Sequence, residues 1–280
     1  MEPIARARAY LSGVFKYGSL SLASVVALLP ITVIVMASLK TTNEFLSGGP
    51  LDPPGNWLNF DNFAVAFNQG GMLMAFGNTT FILVISVFGS LLIGSMAAYA
   101  LNRFEFRFKR VIVFLFLLGA LVPSVTAQVA TFQIVNGMGL FNTRWSAIVL
   151  YTSTDIVSIY IFLQFMRSIP RTLDEAALMD GASHFTIYRK IILPLLKPAI
   201  ATVMIIKGVA VYNDFYIPFL YMPKKELGVV ATSLFRFKGF YDTRWEVIAA
   251  GVVIAIIPTL IVFLTLQRYI YNGFTRGATK

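Results

Sequence analysis

The chain has 280 residues, of which 57% are hydrophobic and 13% charged, and its mean hydropathy is +0.74; a water-soluble domain cannot hide that much apolar surface. The net charge of +10 does not imply nucleic acid, because the basic residues sit at the ends of apolar runs, as on the cytoplasmic side of membrane proteins. With no cysteine, disulfide frameworks, thiolate nucleophiles and thiolate metal sites are excluded.

Unbroken apolar runs of about 20 residues are enough helix to cross a hydrocarbon layer. They predict an all-α fold, a polytopic membrane bundle of six transmembrane helices forming one transmembrane domain over residues 1–280. The spans fall near residues 17–39, 79–101, 111–128, 146–166, 199–220 and 247–266. The first follows Arg6, Arg8 and Lys16, but it is long and lacks a small-x-small cleavage site, so it is read as a retained span and not as a signal peptide. The second carries Gly89, Ser90, Gly94, Ser95, Ala97 and Ala98, small residues that let helices approach closely. Pro123 interrupts the third, which membrane helices tolerate. Lys and Arg concentrate between the second and third spans, between the fourth and fifth, and at both ends of the chain, so both termini are expected in the cytoplasm.

The connection over residues 167–198 is much longer than a hairpin between membrane helices requires. Pro170 blocks continuation of the fourth helix, and Thr172-Leu173-Asp174-Glu175 reads as a capping box that starts a new one. That short helix is expected to stop at Gly181, whose freedom at positive φ suits a C-terminal turn. A second, amphipathic helix is expected to begin near Ser183, present Phe185, Tyr188, Ile191 and Ile192, and halt at Pro194.

The string Glu175-Ala176-Ala177, then Gly181, Ile191 and Leu193-Pro194, resembles the EAA motif of permeases in binding-protein-dependent ABC importers at every defined position. The resemblance implies a coupling helix that docks on an ATPase subunit, with Glu175, Ala176, Ala177, Asp180, Gly181, Ile191, Leu193 and Pro194 as its residues. Asp180-Gly181-Ala182 and the tail over residues 267–280, with Gly273, Thr275, Gly277 and Lys280, are similar to the carbohydrate-uptake branch that includes the maltose and glycerol-phosphate importers. In that branch the tail of the second, smaller permease reaches toward the ATPases; a frayed basic terminus is the other reading. The family implies a second homologous permease, two ATPase subunits carrying ATP and Mg, an external solute-binding protein, and a place in the bacterial inner membrane. No Gly-x-x-x-x-Gly-Lys-Ser/Thr loop occurs, so no nucleotide cofactor is expected on this chain and ATP hydrolysis belongs to another.

Asp155 and Lys207 fall inside predicted spans, where an ionisable group needs a partner or an aqueous path. Their depths differ by roughly 6 Å at 1.5 Å per residue, which a lysine stem bridges, so they are read as a pair. Snorkelling of Lys207 and exposure of Asp155 to an outer vestibule are the alternatives. Asn213-Asp214 resembles an Asn-acidic pair near the translocation path of the sugar branch; Asp214 capping the helix end or binding Lys224 is the competing role. In the external loop over residues 221–246, Phe237, Phe240 and Tyr241 stand among basic residues, as suits contact with a binding protein; an interfacial aromatic belt is the alternative. The lone His184, with no His-rich cluster and no cysteine, gives no expected metal or catalytic site. A self-sufficient secondary transporter or channel, with the intramembrane charges as coupling groups, is the competing function.

Overall fold

The computed structural model describes residues 2–123, 125–153, 156–239 and 243–278, with side-chain surroundings for 13–119, 121–123, 125–153, 156–239 and 243–265. Helices account for the regular structure of the described residues, beside one isolated bridge between Lys238 and Thr243. In chain order they are α1 (Glu2–Leu39), α2 (Thr42–Ser47), α3 (Asp61–Gln69), α4 (Met72–Arg103), α5 (Lys109–Leu121), α6 (Gln128–Gly137), α7 (Arg144–Thr152) and α8 (Ile156–Arg167). There follow α9 (Thr172–Met179), α10 (His184–Ile187), a π-helical turn (Tyr188–Ile192), α11 (Leu193–Leu195), α12 (Lys197–Asn213), α13 (Tyr216–Tyr221), a 3-10 turn (Lys225–Leu227), α14 (Val230–Ser233), a second 3-10 turn (Leu234–Phe237) and α15 (Trp245–Ala278).

Among the described residues three helical stretches, Gly13–Leu39, Met72–Arg103 and Trp245–Thr265, are each long and apolar enough to cross a membrane. The number rises to five if α7 with α8, and His184–Leu195 with α12, each count as one bent span. Prolines explain two departures from the expected helices. Residues 111–128 are helical only to Leu121, because Val122 precedes Pro123 and takes an extended conformation, φ −76° and ψ 117°. The stretch 199–220 breaks at Asp214, also extended, since Pro218 in an unbroken helix would press on the Asp214 carbonyl. The last helix is longer than its span, continuing through the expected tail to Ala278.

The chain divides into two compact units, Met1–Met72 with Leu234–Thr259, and Leu73–Ser233 with Leu260–Lys280. In the first, the Asn62 amide donates to the carbonyls of Ser38 (3.0 Å) and Lys40 (2.7 Å), satisfying the open end of α1. Thr41 and Glu44 form a reciprocal capping box at α2. Hydrogen bonds from the Thr41 backbone and hydroxyl hold the Glu44 carboxyl below its ordinary range. Buried Glu246 accepts from Thr42 Oγ1 at 2.9 Å and from Arg244 Nε at 3.1 Å. The second unit contains two apolar clusters, one around Phe162, Ile187, Ile192 and Leu196, the other around Ile82, Ile148, Tyr151 and Val211. Helix α4 touches both. A Cβ added to Gly89 meets Thr152 Cγ2 at 2.7 Å, and one on Gly94 meets Phe162 at 3.5 Å, the close approach that the small residues predict.

Candidate functional site

The 167–198 connection folds as a helical hairpin whose turn is set by one glycine. Gly181 sits at φ +77°. Its N–H donates to Leu178 and the Ala182 N–H to Ala177, at 3.0 and 2.9 Å, the paired bonds of a Schellman turn that close the end of α9. A Cβ at Gly181 meets nothing within 4 Å, so the requirement is backbone conformation and not space. The second arm starts as expected: Ser183 Oγ accepts from the Thr186 N–H at 3.3 Å.

Two details differ from expectation. Thr172 does not cap α9, because residue 171 is already helical and the Asp174 and Glu175 N–H groups both donate to the Arg171 carbonyl. Nor does Pro194 halt the second arm. The π-helical turn precedes it, with the Leu193 N–H reaching five residues back to Tyr188, and this wider turn gives the Lys190 carbonyl room beside the proline ring. The arm ends two residues later at buried Leu196, where the chain bends by 74° into α12.

The hairpin is anchored on the end of α4. Ser95 Oγ and Tyr188 Oη share a hydrogen bond of 2.8 Å, Tyr99 Oη donates to the His184 carbonyl at 3.4 Å, and the Phe104 ring stands edge-on to His184 at 4.9 Å. Arg103 Nη2 lies 2.9 Å from Asp174 Oδ2 and donates to the Ile169 carbonyl at 3.1 Å. Side-chain exposures of 8% and 13% make this a buried ion pair. Yet Arg103 Nε and both Asp174 oxygens make no hydrogen bond, so the attraction is Coulombic and poorly aligned. Sequence reasoning missed this pair; the available signals were a basic residue closing α4 and an acid beside Glu175. Ala177 is buried against Ile187 and Ile192, and Ile191 and Leu193 are half-buried on the same cluster. Glu175, Ala176, Asp180 and Pro194 are exposed, as are Leu178, Met179 and Phe185.

Asp214 takes the helix-capping role and not a contact with Lys224. Its Oδ1 accepts from the Tyr216 N–H at 2.7 Å, starting α13, and its Oδ2 accepts from Tyr151 Oη at 2.8 Å. Asn213 is exposed and its amide donates to the Val209 carbonyl. Lys207 is half-buried midway along α12, while Asp155 lies outside the described residues. Phe237 packs with Ala66, Val247 and Ala250; Phe240 and Tyr241 are outside the described residues. The backbone at Gly273, Thr275 and Gly277 continues α15, and Lys280 falls beyond the described residues.

Residues 90–276 match the family described as "Binding-protein-dependent transport system inner membrane component". The chain is similar to the diacetylchitobiose uptake system permease protein NgcG of Streptomyces coelicolor, 30% identical over 260 residues, covering 92% of this chain and 85% of that protein. It is also similar to the multiple sugar-binding transport system permease protein MsmG of Streptococcus mutans, 32% identical over 273 residues, covering 95% and 96%. Its fold is shared with a crystal structure of a bacterial ABC transporter involved in the import of the acidic polysaccharide alginate, at a TM-score of 0.81, 22% identity and coverage of 93% and 96%. A glycine-turned hairpin bearing the EAA string, apolar helices long enough to cross a bilayer and a match over most of its length identify the chain as a member of the binding-protein-dependent transport system inner membrane components, a multi-pass permease of the bacterial inner membrane.

Proposed function

We propose that this permease carries a sugar or sugar-like solute inward, driven by two ATPase subunits that bind ATP and Mg and supplied by an external solute-binding protein. A second homologous permease completes the path. Residues 1–280 act as a single transmembrane domain with six crossings, and both termini and the 167–198 connection lie in the cytoplasm. The saccharide class is supported by the names of the relatives, diacetylchitobiose and multiple-sugar systems.

The observation that carries the coupling role is that the hairpin has two different faces. Asp174, Ala177, Ile187 and Tyr188 hold it from within, while Met179, 88% exposed, stands with Leu178 and Phe185 on the outside. Leu178 and Met179 are neighbours on α9, outside every candidate span, and apolar groups exposed there fit a protein partner. Glu175, Ala176 and Asp180 share that exposed side and contact the ATPase; Ala177, Gly181, Ile191, Leu193 and Pro194 shape the hairpin. The tail through Gly273, Thr275, Gly277 and Lys280 approaches the ATPases, Phe237, Phe240 and Tyr241 serve the binding protein, and Lys207, Asp155, Asn213 and Asp214 belong to the path or its intramembrane pair.

Met179→Glu tests the coupling face, since it adds a charge there and leaves the inner face intact. Retention of the ATPase subunits on the purified permease is expected to fall about tenfold, the size of one strong interface contact. Uptake of labelled oligosaccharide falls with it, while the binding protein's affinity for sugar is unchanged. Undiminished retention and uptake, or uptake by proteoliposomes without ATPase, would refute the proposal.

A further inference from the structure

Between α4 and α5 the chain turns through residues 104–108, and this turn with the first part of α5 forms an open cleft of about 640 Å³. Its lining changes character along its length. Arg107, Lys109 and Arg110 stand at one end, and Val113, Phe114 and Leu117 continue from them. Arg110, Val113, Phe114 and Leu117 follow one another at helical spacing and so share one face of α5. The apolar part extends about 10 Å beyond Arg110 at 1.5 Å per residue.

The charge in the cleft is not balanced. Lys109 is paired with Glu105 at 2.7 Å, and the Glu105 carboxyl is held below its ordinary range by that hydrogen bond first, then by the fields of Lys109, Arg171 and Arg110. Among the described residues neither Arg107 nor Arg110 has an ion-pair or hydrogen-bond partner, and both are exposed. Two guanidinium groups therefore remain for an anion, next to a strip in which Phe114 is 57% and Leu117 55% exposed.

We infer that this cleft is a binding site for one anionic phospholipid, with the headgroup phosphate on Arg107 and Arg110 and the upper acyl chain along Val113, Phe114 and Leu117. The surplus of cations selects an anionic headgroup over a zwitterionic one, as basic pockets between membrane helices do. A free phosphate or a sugar phosphate leaves the apolar strip uncovered, so the lipid is the occupant that fits both ends.

The test uses the assembled importer reconstituted in bilayers of phosphatidylglycerol and phosphatidylcholine in equal proportion, released gently and weighed by native mass spectrometry. Retained phosphatidylglycerol is expected to exceed phosphatidylcholine, and each guanidinium removed is expected to lower it about fivefold. Arg107→Gln with Arg110→Gln should therefore lose it, Arg107→Lys with Arg110→Lys should keep most of it, and Leu117→Gln should weaken it with both charges in place. Inorganic phosphate in excess should not displace the lipid. Equal retention of the two lipids, retention unaffected by the double Gln change, or displacement by phosphate would overturn the site. Because this chain has no cysteine, Phe114→Cys gives it a single thiol, and cross-linking of that thiol to the second permease in place of labelling by a lipid-soluble maleimide would overturn the site too.

Discussion

The Arg103–Asp174 contact joins two segments that sequence proximity does not bring together, and its value depends on both charges being present. Removing Asp174 alone strands a guanidinium at 8% side-chain exposure, and breaking a buried pair in this way costs about 3–5 kcal/mol. Because the pair is poorly aligned, replacing both members by apolar residues is expected to recover most of that loss. Asp174→Ala should lower the thermal midpoint of the importer in detergent, and Arg103→Met with Asp174→Leu should restore it. The double variant should nonetheless hydrolyse more ATP per solute imported, since Arg103→Met also removes the hydrogen bond to the Ile169 carbonyl, a directional tie between α4 and the start of the hairpin. A double variant as unstable as the single would show that the charges are not coupled. Neither residue stood out in the sequence, where Asp174 was only an interior position of the string from Thr172 to Glu175 read as a capping box. Contact between the end of α4 and the start of α9 is a tertiary fact.

At the scale of helices, helical type was legible from the apolar runs, whereas the breaks at Val122 and Asp214 were not, although a proline imposes each of them. Gly181 and Ser183 appear where local chemistry predicts, because a positive φ and an N-cap depend on neighbouring residues alone. Thr172 and Pro194 do not behave as predicted, since the backbone on one side of each already offers another solution: a helical Arg171 in the first case, a π turn in the second. The small-residue reading of α4 permits a sharper expectation. Gly89→Ala drives a methyl into Thr152 at 2.7 Å and should destabilise by about 1–3 kcal/mol, while Gly94→Ala makes ordinary contact with Phe162 and should be tolerated. Thermal unfolding of the two variants compares them directly, and Thr152→Ser, which removes the Cγ2 methyl, should rescue the first. Equal stability of the two glycine variants would mean that α4 and α7 are not closely packed there.

In the molecule as a whole, α4 carries polar attachments at three heights within the second unit. Near its start the Asn78 amide donates to the carbonyls of Glu226 and Gly228, both at 2.9 Å, and Thr79 Oγ1 accepts from the Val230 N–H. Midway, Ser90 Oγ donates to the Tyr151 carbonyl beside the Gly89–Thr152 contact. At its end Ser95, Tyr99 and Arg103 hold the hairpin. Asn78→Ala should therefore reduce stimulation of ATP hydrolysis by the loaded binding protein while ATPase subunits stay bound, because it frees the 226–230 loop and leaves the hairpin in place. Unchanged stimulation would separate that loop from the signal. The middle attachment has a mechanical meaning. From Ser90 it is about 18 Å along the helix to Asn78 and about 20 Å to Arg103, at 1.5 Å per residue. A seesaw pivoted at Ser90 has nearly equal arms, so an inward swing of the hairpin end would carry the opposite end outward by a similar distance, and one helix would open one mouth of the pathway by the stroke that shuts the other.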